Sequence, residues 1–233
     1  MNQRVDKLRR LMAAHSVDAA LVTGVSNVRY YTGFTGDESM TLIGRDHSVF
    51  LTDFRYTEQA QGECPDFTVI EPDAAAPFAT VDRLCREWEI KRLWVEEEDI
   101  SWDRYNKMNE AIQGIEILPS DGAIKSVRVI KEPEEIDAIR KAQEIAELGF
   151  SHLLDFIEPG MTEREVALEL EFFTRREGSE GMAFPPIIAA GPHGAMPHAQ
   201  LSDRVIRDGD MIVMDFGCIY DGYRSDMTRT LVA

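Results

Sequence analysis

Basic side chains and long apolar runs are both scarce in this chain of 233 residues. Lys and Arg number 25 against 42 Asp and Glu, so the formal net charge is −17 at pH 7. Because phosphate backbones bind clustered Lys and Arg, this acidic balance argues against a nucleic-acid partner. A membrane-spanning helix needs roughly 20 consecutive apolar residues, and no run in the sequence approaches that length. We therefore expect a soluble protein with no membrane partner.

Cysteine is also scarce. Cys64, Cys85 and Cys218 are odd in number, lie far apart and lack CxxC spacing, so neither a disulfide framework nor a cysteine zinc site is indicated. We therefore expect free thiols and a cytoplasmic location. The remaining composition, 44% hydrophobic and 29% charged, is typical of a globular protein with one large or two small domains.

Strand-like and helix-like segments alternate in the first part of the chain. β-branched and aromatic residues cluster between turn signals, and apolar residues recur at helical spacing between these clusters. This alternation predicts an α/β domain over residues 1–122. Gly44-Arg45-Asp46 lies between two strand-like runs, which predicts a hairpin and therefore a mixed sheet. The predicted strands are 17–22, 39–44, 47–52, 67–71, 93–97 and 115–119, and the predicted helices are 3–15, 54–62, 77–89 and 101–112.

A helical pattern opens the second part of the chain. From Glu132 onward, apolar residues recur every three or four positions for about seven turns. Thr162, with a glutamate three positions later, has the spacing of a capping box and predicts the start of a second helix. Strand-like segments return after Gly178. We therefore assign residues 132–233 to a second domain and residues 123–131 to a linker.

Two aspartates lie on neighbouring strand-like segments near residue 220. Asp215 sits within an apolar run that predicts a buried strand, and Asp226 follows a turn signal. A two-residue turn at Tyr220-Asp221 makes the two carboxylates direct cross-strand neighbours. A shift of that turn by one residue makes them diagonal neighbours on the same face, whereas a three-residue loop places them on opposite faces. Two of these three registers bring the carboxylates together.

Two neighbouring carboxylates repel each other unless a cation or a shared proton compensates them. Oxygen ligands suit divalent ions such as Mn²⁺, Mg²⁺, Co²⁺ or Zn²⁺, so the pair indicates a metal site. The alternative is structural: Asp226 pairs with Arg224 or Arg229, and Asp215 accepts backbone N–H groups at a bulge. The spacing alone leaves both interpretations open.

Four strings resemble a known superfamily. The strings IIAAGPHGAMPHA (187–199) and RDGDMIVMDFGCIYDGYRSDMTRT (207–230) resemble the pita-bread metallopeptidases, particularly the Xaa-Pro aminopeptidases and the Xaa-Pro dipeptidases, or prolidases. The strings NVRYYTGFTG (27–36) and LTDFRYTEQA (51–60) resemble the creatinase-type domain that precedes the catalytic domain in this group. The resemblance implies an α/β fold class, with a mixed-sheet creatinase-type N-terminal domain followed by the first half of a pita-bread α+β catalytic domain.

The resemblance also implies a site with two divalent metal ions, Mn²⁺ foremost and Co²⁺ or Zn²⁺ as alternatives, held by two Asp, one His and two Glu. Asp215 matches the aspartate that binds one metal, and Asp226 matches the aspartate that bridges both. Such a pair of ions supplies a bridging hydroxide at neutral pH and polarises the scissile carbonyl. His198 matches the catalytic histidine that contacts the substrate and donates a hydrogen bond to the developing oxyanion. Without the family strings, His198 is most simply a histidine of a surface loop.

Other residues of the matched strings carry weaker implications. The resemblance implies substrate-binding or supporting roles for His193, Tyr223, Arg224 and Arg229. His193 is also consistent with an ordinary loop position. Matched residues of the N-terminal strings that we interpret as mainly structural are Asp53, Arg55 and Tyr56.

The implied activity is that of a metal-dependent exopeptidase, a homodimer that hydrolyses N-terminal Xaa-Pro bonds of peptides with proline at the second position. The family pattern requires a later His and two later Glu, and the sequence reaches Ala233 without them. We therefore expect a fragment of a longer enzyme or a truncated relative, and we expect the 233-residue chain alone to be inactive as a peptidase.

Two other functions are compatible with the same fold. A creatinase-like C–N hydrolase shares the two-domain plan without using metal, but such an enzyme has no need of the paired carboxylates Asp215 and Asp226. A non-catalytic relative would bind peptides or assemble with another chain. Fold alone does not separate these alternatives.

Overall fold

The chain divides into two compact units, Met1–Ile130 and Lys131–Ala233, and a computed structural model describes residues 2–233. None of the helices in these described residues combines the length and apolar character that crossing a bilayer requires. The elements of the first unit are α1 Gln3–Ala14, β1 Ala19–Val22, α2 Val25–Thr32, β2 Ser39–Gly44, β3 Ser48–Thr52, α3 Thr57–Glu63, β4 Thr68–Ile70, α4 Pro77–Glu87, β5 Arg92–Val95, α5 Trp102–Ala111, β6 Glu116–Pro119 and α6 Ala123–Ser126. Those of the second unit are α7 Pro133–Phe156, α8 Glu163–Arg176, β7 Ile187–Ala190, a 3₁₀ turn Gly191–Ala195, β8 Met211–Phe216, β9 Ile219–Tyr220, β10 Tyr223–Arg224 and β11 Met227–Val232.

The first unit contains a six-stranded mixed sheet in the order β4-β3-β2-β1-β5-β6. β2 pairs antiparallel with β1 and with β3, while the remaining pairings, β3–β4, β1–β5 and β5–β6, are parallel. The predicted hairpin is confirmed, since Gly44 N–H donates to the His47 carbonyl at 2.9 Å. The predicted mixed sheet is therefore confirmed as well.

Strand β1 lies at the centre of this sheet and is buried on both faces. Ala20 and Val22 belong to one core, which α1, α2 and α3 cover. Ala19 and Leu21 belong to the opposite core, which α4 and α5 cover. Because side chains alternate along a strand, a run of apolar residues at this position supplies both cores.

The sequence pattern did not predict helix α2. Its residues Val28, Tyr30 and Tyr31 are buried, and aromatic and β-branched residues have only modest helix propensity. Burial against the sheet, together with a left-handed Gly33 that ends the helix, outweighs that weak preference. Tertiary packing therefore decides this element.

The segment proposed as a linker packs into the first unit up to Ile130. Ile124 is fully buried and Val127 is nearly so. The Tyr31 hydroxyl donates to the Ile124 carbonyl at 2.6 Å, and the Tyr30 hydroxyl donates to the Val127 carbonyl at 3.1 Å. The two apolar residues gain burial there, and the structure accordingly places residues 123–130 inside the first unit.

The second unit packs α7 and α8 against one face of a three-stranded antiparallel sheet in the order β11-β8-β7. The predicted capping box of α8 is confirmed. Thr162 Oγ1 accepts the Glu165 N–H at 3.2 Å, and Glu165 Oε2 accepts the Thr162 N–H at 2.7 Å. These two bonds satisfy backbone N–H groups that have no partner within the helix.

Helices α7 and α8 approach each other closely at Gly149. A Cβ atom at this position would lie 2.7 Å from Thr174 Cγ2 and 2.9 Å from Leu170 Cδ1. We expect Gly149→Ala to lower the free energy of unfolding by about 1–3 kcal/mol, because overpacking exceeds the gain in helix propensity. Urea unfolding of the whole chain measures this change.

The matched control is Gly62→Ala in α3, where a Cβ would meet no atom within 4 Å. This variant should be unchanged or up to about 1 kcal/mol more stable, since Ala is favoured over Gly in a helix. Equal stability of the Gly149→Ala protein and the unsubstituted protein would contradict the close packing described here.

Candidate site on the open face of the second sheet

A tight turn at Asp221-Gly222 fixes the register of the C-terminal hairpin. Both residues have positive φ, 47° and 73°, as a two-residue type I′ turn requires. The observed register is therefore the one in which the two aspartates are diagonal neighbours. The Cα partners along the hairpin are Tyr220–Tyr223, Ile219–Arg224, Phe216–Met227 and Asp215–Thr228.

The neighbours of Asp226 show which face it occupies. The Ser225 hydroxyl donates to the Ala142 carbonyl of α7 at 3.1 Å. Met227 Sδ lies 3.4 Å from Gln143 Nε2 of the same helix. Because alternate residues of an extended strand point to opposite faces, Asp226 lies on the face that points away from α7.

Asp215 lies on that same open face. Its neighbours Met214 and Phe216 are fully buried in the core beneath the helices, whereas Asp215 is half-buried. The prediction of a buried strand is wrong for this face, because the helices within residues 2–233 cover only the opposite face of the sheet. The Thr228 hydroxyl, directly across the strand, donates to Asp215 Oδ1 at 2.8 Å.

The arginines of the structural alternative bind carbonyl oxygens. Arg224 Nη1 donates to the Ala183 carbonyl, and Arg229 Nη1 donates to the Thr228 carbonyl at 2.9 Å. Asp226 is exposed, and within residues 2–233 it has no hydrogen-bond or ion-pair partner. The structure therefore does not contain the arginine pairing that the alternative requires.

The backbone is unusually close at the point where β8 meets the hairpin. A Cβ atom at Gly217 would lie 1.9 Å from the Ser225 carbonyl oxygen, so only glycine fits there. Cys218 N–H donates to the Ser225 hydroxyl at 3.0 Å. Cys218 itself is fully buried, as expected for a small core residue, and burial raises the pKa of its thiol. These contacts fix the backbone directly before Asp226.

We expect Ser225→Ala to lower the free energy of unfolding by about 1–3 kcal/mol, because the Cys218 N–H loses its partner inside the core and the Ala142 carbonyl loses the hydrogen bond from the Ser225 hydroxyl. Denaturant unfolding measures the loss. Ser151→Ala is the matched control: its hydroxyl also donates to a helix carbonyl, that of Glu147, but at an exposed position. The control should change stability by less than about 0.5 kcal/mol. An equally mild effect of Ser225→Ala would contradict the anchoring role.

His198 lies on the loop that follows the 3₁₀ turn, and its side chain is exposed. The turn packs on the open face of the sheet: a Cβ at Gly194 would lie 3.4 Å from Val213 Cγ2 and 3.0 Å from the Ala189 carbonyl. Val213 precedes Asp215 by two residues and shares its face. The loop that carries His198 therefore begins on the face that carries both aspartates.

His193 lies within the 3₁₀ turn and binds a residue that the sequence analysis missed. Its Nδ1 is 2.8 Å from Oε1 and 2.9 Å from Oε2 of Glu163, a fully buried side chain at the first position of α8. An acidic residue in the first helical turn is ordinarily explained by the helix dipole. Sequence alone therefore gave no reason to pair it with a histidine 30 residues away.

Tyr223 lies on the side of the hairpin that faces α7, opposite to Asp226. Its hydroxyl donates to Glu135 Oε1 at 2.8 Å, and Glu135 is a buried residue in the first turn of α7 whose Oε2 accepts the Glu132 N–H at 2.8 Å. Tyr223 thus ties the hairpin to the start of α7.

The matched residues of the first unit form a partly exposed network. Asp53 accepts hydrogen bonds from the Arg55 backbone N–H at 2.9 Å and from Arg55 Nε at 3.0 Å, and the guanidinium lowers the pKa of Asp53. The Tyr56 hydroxyl donates to Asp37 Oδ1 at 2.7 Å, which lowers the pKa of Asp37 and raises that of Tyr56. These bonds are consistent with a structural role.

The side chains on the open face of the sheet are of a chemical type that suits a divalent metal ion. Asp215 and Asp226 offer the oxygen ligands that such ions prefer. Across residues 2–233, however, no group of three or more His, Cys, Asp or Glu side chains comes together as a metal-binding cluster. The two carboxylates alone would therefore supply only part of a coordination sphere.

Comparison with known proteins agrees with these observations. Residues 4–130 match the Creatinase/Prolidase N-terminal domain, and residues 137–233 match Metallopeptidase family M24. The uncharacterized peptidase YqhT of Bacillus subtilis is 39% identical over 98% of this chain and 64% of its own. The Xaa-Pro dipeptidase of Pyrococcus furiosus is 32% identical over 100% of this chain and 65% of its own.

Solved structures give the same result. The Xaa-Pro dipeptidase from Bacillus anthracis superposes with a TM-score of 0.94 at 36% identity, over 99% of this chain and 64% of that one. The X-Pro aminopeptidase from Thermotoga maritima superposes with a TM-score of 0.88 at 35% identity, over 98% of this chain and 64% of that one. The predicted resemblance and fold class are confirmed. The chain spans about two thirds of the length of these relatives, at 64–65%.

Proposed function

Because the chain belongs to the family of the Creatinase/Prolidase N-terminal domain, we propose that the protein containing it is a metal-dependent exopeptidase that hydrolyses N-terminal Xaa-Pro bonds of peptides. Several relatives are Xaa-Pro dipeptidases or aminopeptidases by name, and the match to Metallopeptidase family M24 over residues 137–233 implies divalent metal in the complete enzyme.

The placement of two carboxylates on one open sheet face carries the proposal. Asp215 faces away from the helices, and Asp226 lies diagonally across the hairpin on the same side. Two acidic side chains at this spacing repel each other without a cation. We propose that Asp215 would hold one divalent ion and Asp226 would contact two, with Mn²⁺ as the first choice and Co²⁺ or Zn²⁺ as alternatives. Such ions would lower the pKa of a bound water and polarise a carbonyl.

Thr228 orients the first of these carboxylates. Its hydroxyl donates to Asp215 Oδ1 and leaves the second oxygen, Oδ2, to bind a ligand. Hydrogen bonds of this kind to a ligating carboxylate fix its orientation. The Ser225 contacts serve the same purpose for the backbone that presents Asp226.

His198 is proposed to act on the substrate. Its exposed imidazole lies on a loop that starts on the aspartate face, and an imidazole N–H can donate to the oxygen of the scissile carbonyl as negative charge develops there. A prolyl nitrogen lacks an N–H and is ring-constrained. A shape-selective pocket for the second residue is therefore chemically reasonable. We propose that His193, Arg224 and Arg229 support the site rather than bind the metal.

The test uses the protein at its native length, purified with Mn²⁺ and assayed on an Ala-Pro peptide and on its Ala-Ala counterpart. We expect cleavage of the former only, and loss of cleavage in excess chelator. Asp215→Asn and Asp226→Asn should each lower kcat/KM at least about 100-fold, because each removes a proposed metal ligand. The isolated 233-residue chain, with two of the ligands, should not cleave the peptide.

Asp208→Asn is the matched control, since Asp208 is an exposed turn residue close in sequence to β8. It should retain full activity. Activity that persists in chelator would contradict the proposal and favour the metal-free hydrolase. Peptide binding without cleavage would contradict it in favour of the non-catalytic module.

The same family resemblance supports a homodimer and a cytoplasmic location for the native protein. All three cysteines are free and buried, which suits a reducing compartment. Light scattering of the native-length protein tests the dimer.

A further inference from the structure

One buried carboxylate in the second unit binds donors from three separate positions. Glu163 Oε1 accepts the Ala190 N–H at 2.8 Å, and Oε2 accepts the Ser202 hydroxyl at 2.6 Å. Because both neighbours of His193 Nδ1 are carboxylate oxygens, Nδ1 carries a hydrogen and donates it. A fully buried carboxylate is stable only with such donors. The four groups therefore form one structural unit.

Two of these donors lie on opposite sides of His198 in the sequence. His193 precedes it and Ser202 follows it, so a single carboxylate binds both ends of the loop 193–202. A loop of this length whose ends meet is a compact unit. The Glu163 side chain is the point at which this loop is closed.

Few other contacts hold the middle of the loop. The Ala199 N–H donates to the Met196 carbonyl at 3.2 Å, and Ala199 is buried. The His198 carbonyl accepts Gln200 Nε2 at 3.4 Å, while its imidazole is free of any hydrogen bond within the described residues. The position of the imidazole is thus set by the backbone of the loop and by the closure at its ends.

We propose that Glu163 is a positioning residue for His198: by closing the loop 193–202, it fixes the imidazole relative to the face that carries Asp215. This inference rests on the proposed function of His198. Because the Glu163 side chain is fully buried, we assign it no contact with the substrate. Its effect passes through His193 and Ser202.

The kinetic test uses the native-length protein with Mn²⁺ and an Ala-Pro peptide. Glu163→Gln replaces a carboxylate that accepts hydrogen bonds from three donors with an amide that has only one acceptor oxygen. The substitution therefore weakens the closure of the loop 193–202. We expect kcat to fall roughly 10- to 100-fold, the effect of a misplaced catalytic group. KM should change less than about 2-fold, because the lost interaction belongs to the transition state.

A spectroscopic measurement on the same protein, prepared without Mn²⁺ because that paramagnetic ion broadens the signals of nearby histidines, is independent of activity. Histidine labelled with ¹³C at Cε1 gives one signal for each histidine, including the five of residues 1–233, and His198→Asn identifies the signal of His198. We expect this signal to shift or broaden in Glu163→Gln and in His193→Ala. A purely structural role for Glu163 would lower stability without moving it.

Two further variants serve as controls. Glu169→Gln removes the carboxylate of a second Glu–His pair of α8, in which Glu169 Oε1 lies 2.7 Å from His152 Nε2. It should leave both kcat and the His198 signal unchanged. His193→Asn retains an N–H donor close to the position of Nδ1, so it should restore most of the activity that His193→Ala loses. The comparison of His193→Ala with His193→Asn tests the closure of the loop even if Glu163→Gln does not fold.

The outcomes separate this inference from the proposed function. An unaltered His198 signal in Glu163→Gln and His193→Ala overturns the positioning role whether or not the protein is active. Absence of Xaa-Pro cleavage by the unsubstituted protein overturns the proposed function, and the positioning role of Glu163 in that reaction falls with it. A shifted signal together with a kcat loss rescued by His193→Asn supports both.

Discussion

The register of the C-terminal hairpin is the constraint on which the candidate site depends. A one-residue slip along a strand reverses the face of every side chain, and two features prevent it here. The left-handed pair Asp221-Gly222 fixes the turn, and the contact between Gly217 and the Ser225 carbonyl leaves no room for a Cβ atom. Asp215 and Asp226 share a face because this register permits no other arrangement.

Most of the scaffold could be predicted from local patterns. The six strands of the first sheet, the β2–β3 hairpin and the α8 capping box follow from residues that are close in sequence. Helix α2 and the docking of Ile124 could not, because both depend on burial against distant elements. The pairing of Asp215 with Asp226 could be predicted in part. The sequence spacing allowed three hairpin registers, and the turn at Asp221-Gly222 determines which of them forms.

The Glu163 network could not be predicted at all. Its members come from a helix, a strand end, a 3₁₀ turn and a loop, and each residue has an ordinary local explanation. Only the fold brings them together around one buried charge. Such long-range polar contacts give a loop a defined position when apolar packing is sparse. In the second unit, the contacts of Glu163 hold the loop 193–202, which begins on the open face of the sheet, and the hairpin places Asp215 and Asp226 on that same face.

The central claim is that Asp215 and Asp226 act together as ligands of divalent ions in the native-length protein. The most direct measurement is a crystal structure of that protein grown with Mn²⁺, with the ions located by anomalous scattering. The account predicts ions bound to both carboxylates, with Asp226 in contact with two of them. Ions bound elsewhere, or an Asp226 carboxylate paired with Arg224 or Arg229, would contradict it.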